Sequence, residues 1–343
     1  MKAEHSKKTV AVTDAFGLMG PAIIRELLAA NYSVRTLVHP NADLPTAWQE
    51  HPQLQIIRGE VLDPVVLNQF LQEIHLVVHT AHFFSFQSKH KIKMRRFHIE
   101  CTRQLINMEL NGSVEKLIHL SSTEALGHGD QTDGDGPRMK WDEDSPHSLY
   151  GRSLFHSELE AWRGQAEGLS IVILRPSYIL GASPISNPIG DWLEKVARGL
   201  PFFPTGSAGW VHAIDVARAV RRSLDPEISN RAWVLNAGNL SYKAIMDQLA
   251  ATCGTRPPLK PWWGSLSPFM LSWNQIQSWW GADALWLGKD SLRLSRMSSL
   301  YDGSAAARGL KFNYQSLEES IMDVTRNIQR KDRFVQPQLL LHQ

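Results

Sequence analysis

Short β-branched strands alternating with glycine turns and amphipathic helices constrain this chain more than any other feature. Thr9-Val-Ala-Val-Thr13 is the first such strand, Gly17 and Gly20 break it, and Ile23, Ile24, Leu27 and Leu28 then form one apolar helix face that Asn31 ends. Further strands are predicted at Ser33 to Val38, Gln53 to Ile57, Leu76 to Thr80, Lys116 to Leu120 and Ile171 to Leu174, with Val66, Leu67, Phe70 and Leu71 at helical spacing between the third and fourth. Near-continuous apolar strands separated by helices indicate a parallel sheet covered on both faces. Six strands before residue 176 is the number used by a doubly wound (Rossmann) α/β domain.

The turn Thr13-Asp-Ala-Phe-Gly17-Leu-Met-Gly20 adds chemistry to that pattern. Its glycines let the backbone approach a pyrophosphate and the helix pack on the sheet, while the first helical N–H groups face the phosphates. A strand-turn-helix that binds nothing is the alternative reading of this segment taken alone.

The C-terminal half is less regular. Residues 179–210 are rich in Pro, Gly and Ser, 239–300 mix helices with loops, and Arg231 to Asn236 reads as one more strand. The expected organisation is a dinucleotide-binding domain over 1–178 to which 211–238 returns, and a smaller substrate lobe from 179–210 and 239–315. The capping box Ser316-Leu-Glu-Glu319 starts a C-terminal helix over 316–331, and a tail follows at 332–343. With 343 residues, 43% of them hydrophobic, the chain can bury a large core. A net charge of +2 with scattered Lys and Arg leaves no footprint for nucleic acid. Cys101 and Cys253 are too few for a disulfide framework or a zinc pattern, and the first residues lack an apolar leader, so a reducing cytoplasm is the expected home.

Taken in order, eight segments resemble those of an extended short-chain dehydrogenase/reductase, the group that includes nucleotide-sugar epimerases, dihydroflavonol reductases and 3β-hydroxysteroid dehydrogenases. They are the turn at 13–20, Gly59-Glu60-Val-Leu-Asp63, Val77 to Ala81, Leu120-Ser121-Ser122-Thr123 through Gly127, Tyr150-Gly-Arg-Ser, Arg175 to Gly181, and Val211 to Ala217 with Tyr301 to Ala305 beyond it. The resemblance runs from about residue 8 to residue 330 and implies an NAD or NADP cofactor. At the pyrophosphate it implies Thr13, Asp14, Phe16, Gly17, Leu18, Met19 and Gly20, and around the adenosine Arg35, His39, Glu60 and Val61. At the nicotinamide end it implies Thr80, Ala81, His82, Ser121 and Tyr150, with Pro176 and Tyr178 closing the site. Ser122 and Tyr150 become the catalytic pair, and Phe83, Ser122, Thr123 and Tyr178 the substrate contacts.

The departures from the family pattern fall on functional positions. Asp14 replaces the first glycine of the turn and sets a carboxylate beside a pyrophosphate. The second strand ends in Val38 and His39 rather than an acidic residue, which tilts the cofactor toward NADP, with Arg35 or His39 facing a 2′-phosphate, or Arg35 pointing into solvent. Leu154 stands four residues after Tyr150, where the family carries the lysine that holds the ribose and lowers the tyrosine pKa. A phenol left at its ordinary pKa of about 10 is a poor base and a competent acid at neutral pH, so surviving activity should favour carbonyl reduction over alcohol oxidation. His98 replaces an asparagine of the family's water relay, either as a proton carrier or as a partly buried polar residue.

Two segments bear on the substrate. Residues 128–144 are an acidic loop whose Asp130, Asp133 and Asp135 lack the downstream glutamate of a calcium site, so no metal is expected. Pro261 to Gly288 holds six tryptophans and one charge, Asp283, and Phe269, Trp273, Ile276 and Trp280 share a helical face. This stretch is too interrupted by polar residues to span a bilayer. It packs as core, caps an apolar substrate, or meets a membrane surface. The chain is therefore read as an NAD(P)-dependent carbonyl reductase for an apolar substrate, with a homodimer expected from the family's tyrosine helix. A non-catalytic dinucleotide-binding sensor is the alternative, and a nucleotide-sugar epimerase or dehydratase a third reading.

Overall fold

The computed structural model describes residues 8–83, 90–110, 112–126, 130–131, 148–181, 188–261 and 296–331. Fourteen strands are present among them: β1 (Thr9–Val12), β2 (Ser33–Val38), β3 (Leu54–Arg58), β4 (Leu76–His79), β5 (Lys116–Leu120), β6 (Asp130–Gln131), β7 (Ser170–Pro176), β8 (Tyr178–Leu180), β9 (Phe202–Phe203), β10 (Ser207–His212), β11 (Arg231–Leu235), β12 (Gly238–Ser241), β13 (Lys260–Pro261) and β14 (Leu300–Tyr301). The helices are α1 (Gly20–Ala29), α2 (Thr46–Gln49), α3 (Pro64–Leu71), α4 (Lys91–Glu109), α5 (Leu149–Ala166), α6 (Pro188–Ala197), α7 (Ala213–Ser223), α8 (Tyr242–Cys253), α9 (Ser304–Gly309) and α10 (Leu317–Lys331).

Seven strands form one parallel sheet in the order β11-β7-β5-β4-β1-β2-β3. Its two faces explain the unbroken apolar strands. Val10 and Val12 join Ile23, Ile24 and Leu27 of α1 and Val216 and Val220 of α7 on one side. Ala11 and Val77 join Phe70, Leu105, Ile106 and Ala161 of α3, α4 and α5 on the other. Because side chains alternate along a strand, burial on both faces needs apolar residues at every position. Helix α1 ends where expected, with Asn31 in a left-handed conformation (φ 63°).

A smaller mixed sheet, β12-β10-β8, carries the C-terminal part. β10 runs antiparallel to β12 and parallel to β8, and Trp192, Trp210, Met246, Leu249 and Ile321 pack a third core between this sheet and α6, α8 and α10. The capping box before α10 forms reciprocally: Ser316 N donates to Glu319 Oε2 (3.1 Å) and Glu319 N to Ser316 Oγ (3.2 Å). Among the described residues no helix is long and apolar enough to cross a membrane, and no group of three His, Cys, Asp or Glu side chains is placed to hold a metal. The acidic loop, save the backbone of Asp130 and Gln131, lies outside the described residues, as do the tryptophan-rich stretch after Pro261 and the tail from 332.

Candidate active site

All seven main strands point the same way, so their C-terminal ends share one edge, and the strand order reverses between β1 and β4. A crevice at such a point is where doubly wound folds take ligands.

At the β1 end, Thr13 is turned inward. Its hydroxyl accepts the N–H groups of Thr80 (2.9 Å) and Ala81 (3.1 Å) and donates to His79 Nδ1 (3.0 Å), pinning β1 to the end of β4 rather than facing a phosphate. Asp14 lies outside the left-handed region, and its Oδ1 accepts from Phe16 N (3.0 Å) and Gly17 N (2.8 Å). Burial raises its carboxyl above the ordinary range, and these two bonds offset part of that rise. A Cβ on Gly17 would stand 2.1 Å from Asp14 Oδ2, so the space over this glycine is taken by the chain's own carboxylate. Gly20 serves packing, since a Cβ there would stand 2.3 Å from Asp14 O. The N–H groups of Leu18 and Met19, at the start of α1, have no acceptor among the described residues. Half of the turn therefore fits a diphosphate, and half is occupied by Asp14.

The adenosine edge lies between the ends of β2 and β3. His39 Nε2 and Glu60 Oε1 meet at 2.9 Å, both well exposed. Arg35 is placed differently from expectation: its Nε donates to Gln55 Oε1 (2.7 Å), and its Nη1 to Phe70 O (3.1 Å) and Gln72 O (2.6 Å) at the C-terminal end of α3. It caps carbonyls and does not stand at the ribose. The guanidinium at that edge belongs to Arg58, the last residue of β3, which donates to Pro40 O (3.0 Å) and Ala42 O (2.9 Å) in the loop after β2. Its place directly before Gly59 was the available signal.

At the nicotinamide end the ends of β4 and β5 face α5. The Ser121 Oγ is buried with no hydrogen-bond partner. Ser122 Oγ donates to Pro176 O (3.4 Å) and accepts from Glu124 N (3.3 Å). The Tyr150 ring lies 5.7 Å from that of His98 and 6.4 Å from that of His82. Burial, and then the charge of Glu124, push the Tyr150 phenol well above its ordinary value. Leu154, one helical turn on, is 1% exposed.

His98 has a defined tautomer. Phe83 N donates to its Nε2 (3.1 Å), so the ring proton is on Nδ1, which donates to Ser153 Oγ (2.8 Å), and Ser153 Oγ in turn donates to Tyr150 O (2.7 Å). Burial holds its pKa well below the usual imidazole range, so it is neutral and ties Phe83, α4 and α5 together. A proton carrier at the Tyr150 hydroxyl is not what these bonds describe. Below it runs a second chain: His79 Nε2 donates to Thr102 Oγ1 (3.1 Å), Thr102 and Ser157 hydroxyls meet at 2.7 Å, and Ser157 Oγ lies 3.4 Å from His119 Nε2. Sequence reasoning missed His79 and His119, although a histidine inside each otherwise apolar strand was the signal.

The second sheet adds a further wall. Tyr178 packs against Trp210 and Tyr242 and donates its hydroxyl to Glu124 Oε1 (3.2 Å). Thr123, Glu124, Tyr178, Tyr242, Ser299 and Tyr301 line a small cleft there. Phe83 lies beside Phe97 and His90, with the Lys93 ammonium 5.1 Å above its ring.

The sequence model of the NAD dependent epimerase/dehydratase family matches residues 10–238. The chain is 27% identical over 221 residues to an uncharacterised protein, y4nG, of Sinorhizobium fredii, covering 62% of this chain and about half (52%) of that protein. It is 23% identical over 254 residues to sterol demethylase protein B of Methylococcus capsulatus, covering 73% of this chain and 76% of the relative. Among solved structures, yeast methylglyoxal/isovaleraldehyde reductase Gre2 complexed with NADPH superposes with a TM-score of 0.73 at 17% identity, over 95% of this chain and 100% of that one.

Proposed function

The chain belongs to the NAD-dependent epimerase/dehydratase family, the extended short-chain dehydrogenases/reductases, and from that premise we propose that it is a carbonyl reductase using NADPH. The observation that carries this reading is the buried Leu154 one helical turn after Tyr150. Leu154 fills the place of the family's lysine, and burial together with Glu124 holds the phenol proton, so Tyr150 is an acid at neutral pH and not a base. When bound, the dinucleotide supplies the hydride that a carbonyl carbon accepts. Ser122 orients the carbonyl oxygen, and the Tyr150 hydroxyl gives it a proton. Leu18 and Met19 N–H groups would hold the diphosphate, and Arg58 and His39, the latter beside Glu60, would meet a 2′-phosphate where the end of β2 carries no acidic residue. An apolar substrate is supported by the tryptophans between Pro261 and Gly288, and the likeness to a sterol demethylase component is consistent with it.

A second reading, a dinucleotide sensor without turnover, is favoured by the Asp14 carboxylate in the turn. Epimerisation needs Tyr150 as a base in one half-reaction and runs against its raised pKa. Titration of the full chain with NADPH and NADH, followed by cofactor consumption with a panel of ketones, separates these. Tighter binding of NADPH with turnover is expected. Binding without turnover points to the sensor, and no binding sinks both. In Leu154→Lys, the pH at which alcohol oxidation reaches half its maximum should fall by about one unit, as one pKa unit at the tyrosine requires. An unmoved pH profile would contradict the acid-only assignment.

A further inference from the structure

Resting on the reading of Tyr150 as proton donor, we propose that Glu124 is its positioning residue: the Glu124 carboxylate clamps the serine turn to the start of the tyrosine helix and presents a negative charge to the phenol. Glu124 lies two residues after Ser122 in a single 3₁₀ turn (Thr123–Leu126), and its N–H donates to Ser122 Oγ (3.3 Å). Its Oε2 accepts from Ser148 Oγ (2.8 Å). That same Ser148 oxygen caps α5 by accepting the N–H of Gly151 (2.8 Å), directly after Tyr150. Its Oε1 accepts from Tyr178 on the second sheet. The contact is close along the backbone as well, because a Cβ on Gly151 would stand 2.3 Å from Glu124 O. One residue thus joins the serine turn, the tyrosine helix and the second sheet.

The charge acts in the direction opposite to the family's lysine. Among the described residues, His82, beyond the end of β4, and His98, on α4, also face Tyr150, and burial lowers the pKa of both. Burial first, and Glu124 as a smaller cause, also raise the phenols of Tyr178, Tyr242 and Tyr301 around the cleft. With leucine at 154 in place of the family's lysine, burial first and the charge of Glu124 second act on the phenol in the same direction, which suits a proton donor and not a base.

The test places a fluorinated tyrosine, whose phenol is more acidic, at position 150 of the full chain and follows its titration by 19F NMR. Glu124→Gln keeps a hydrogen-bonding group and removes the charge, and should raise the acid dissociation constant of the phenol about tenfold. Glu124→Asp keeps the charge and should leave it within about twofold. Ser148→Ala keeps the charge but loosens the helix start, and should lower kcat with the titration unmoved. An unchanged titration in folded Glu124→Gln overturns the proposal. If Glu124→Gln does not fold, a tenfold shift in Glu124→Asp overturns it and an unshifted titration there supports it. Absence of turnover in the native chain would remove the reductase reading and leave the phenol titration intact, so the two failures are distinct.

Discussion

Asp14 uses its carboxylate to satisfy two N–H groups of a turn whose glycine, in the family pattern, leaves that space to the cofactor. The residue satisfies the turn when no ligand is bound, and a diphosphate brings like charge beside it. Burial raises the Asp14 pKa, so acidification neutralises it in the folded protein before an exposed aspartate would protonate. NADP+ affinity measured by calorimetry should therefore rise on acidification. Asp14→Asn, which keeps an acceptor oxygen without the charge, should bind about tenfold tighter at pH 8, a gain of about 1.4 kcal/mol, and lose the pH trend. A flat response in the native chain would mean that the carboxylate and the diphosphate do not meet. This departure was legible in the sequence because it breaks a spacing. The fate of Arg35 was not, because strand alternation says which face a side chain takes and not that a carbonyl of α3 waits there.

At the scale of elements, the parallel strands were legible wherever burial on both faces wrote a continuous apolar run, as at Val10 to Val12 and Ile171 to Leu174. The second sheet was not, since β8, β10 and β12 are short and find each other only in space. The same limit hid the bond that seats the tyrosine helix. Arg175 on β7 belonged to a recognised motif, but its partner is Glu158 on α5, and both side chains are essentially buried. The guanidinium donates to the carboxylate through Nε (3.1 Å to each oxygen) and Nη2 (2.7 Å). Breaking one side leaves an uncompensated buried charge, so Arg175→Met should lower unfolding free energy by about 3–5 kcal/mol in urea titrations. Arg175→Met with Glu158→Leu should recover much of that loss. If the double substitution is as unstable as the single one, the cost comes from packing and not from the stranded carboxylate.

Over the whole molecule, the polar line Thr13–His79–Thr102–Ser157–His119 ties the ends of β1, β4 and β5 to α4 and α5 under the site, and His98 adds a second tie beside it. Five elements are held in register by groups that must stay neutral. His79, His98 and His119 are each 2% exposed. Desolvation, and then the neighbouring histidines, lower their pKa values, that of His119 to about 3. The unfolded chain protonates the same rings at about pH 6.5. A depressed folded pKa means that their stabilising effect is complete above the unfolded value and is lost as pH falls below it, because the unfolded state then binds more protons. Three rings give a limiting slope of roughly 4 kcal/mol per pH unit below pH 6. Urea unfolding at steps between pH 7.5 and 5 should show stability nearly level with respect to these rings above 7 and falling steeply below 6. The Nδ1 of His119 has no partner in the structure, so His119→Phe keeps a ring against His79 and removes one of the three protons. It should cut the contribution of these three rings to the acid slope by about a third. An acid slope that His119→Phe leaves intact would place the proton uptake elsewhere and show that the buried histidines do not govern acid stability.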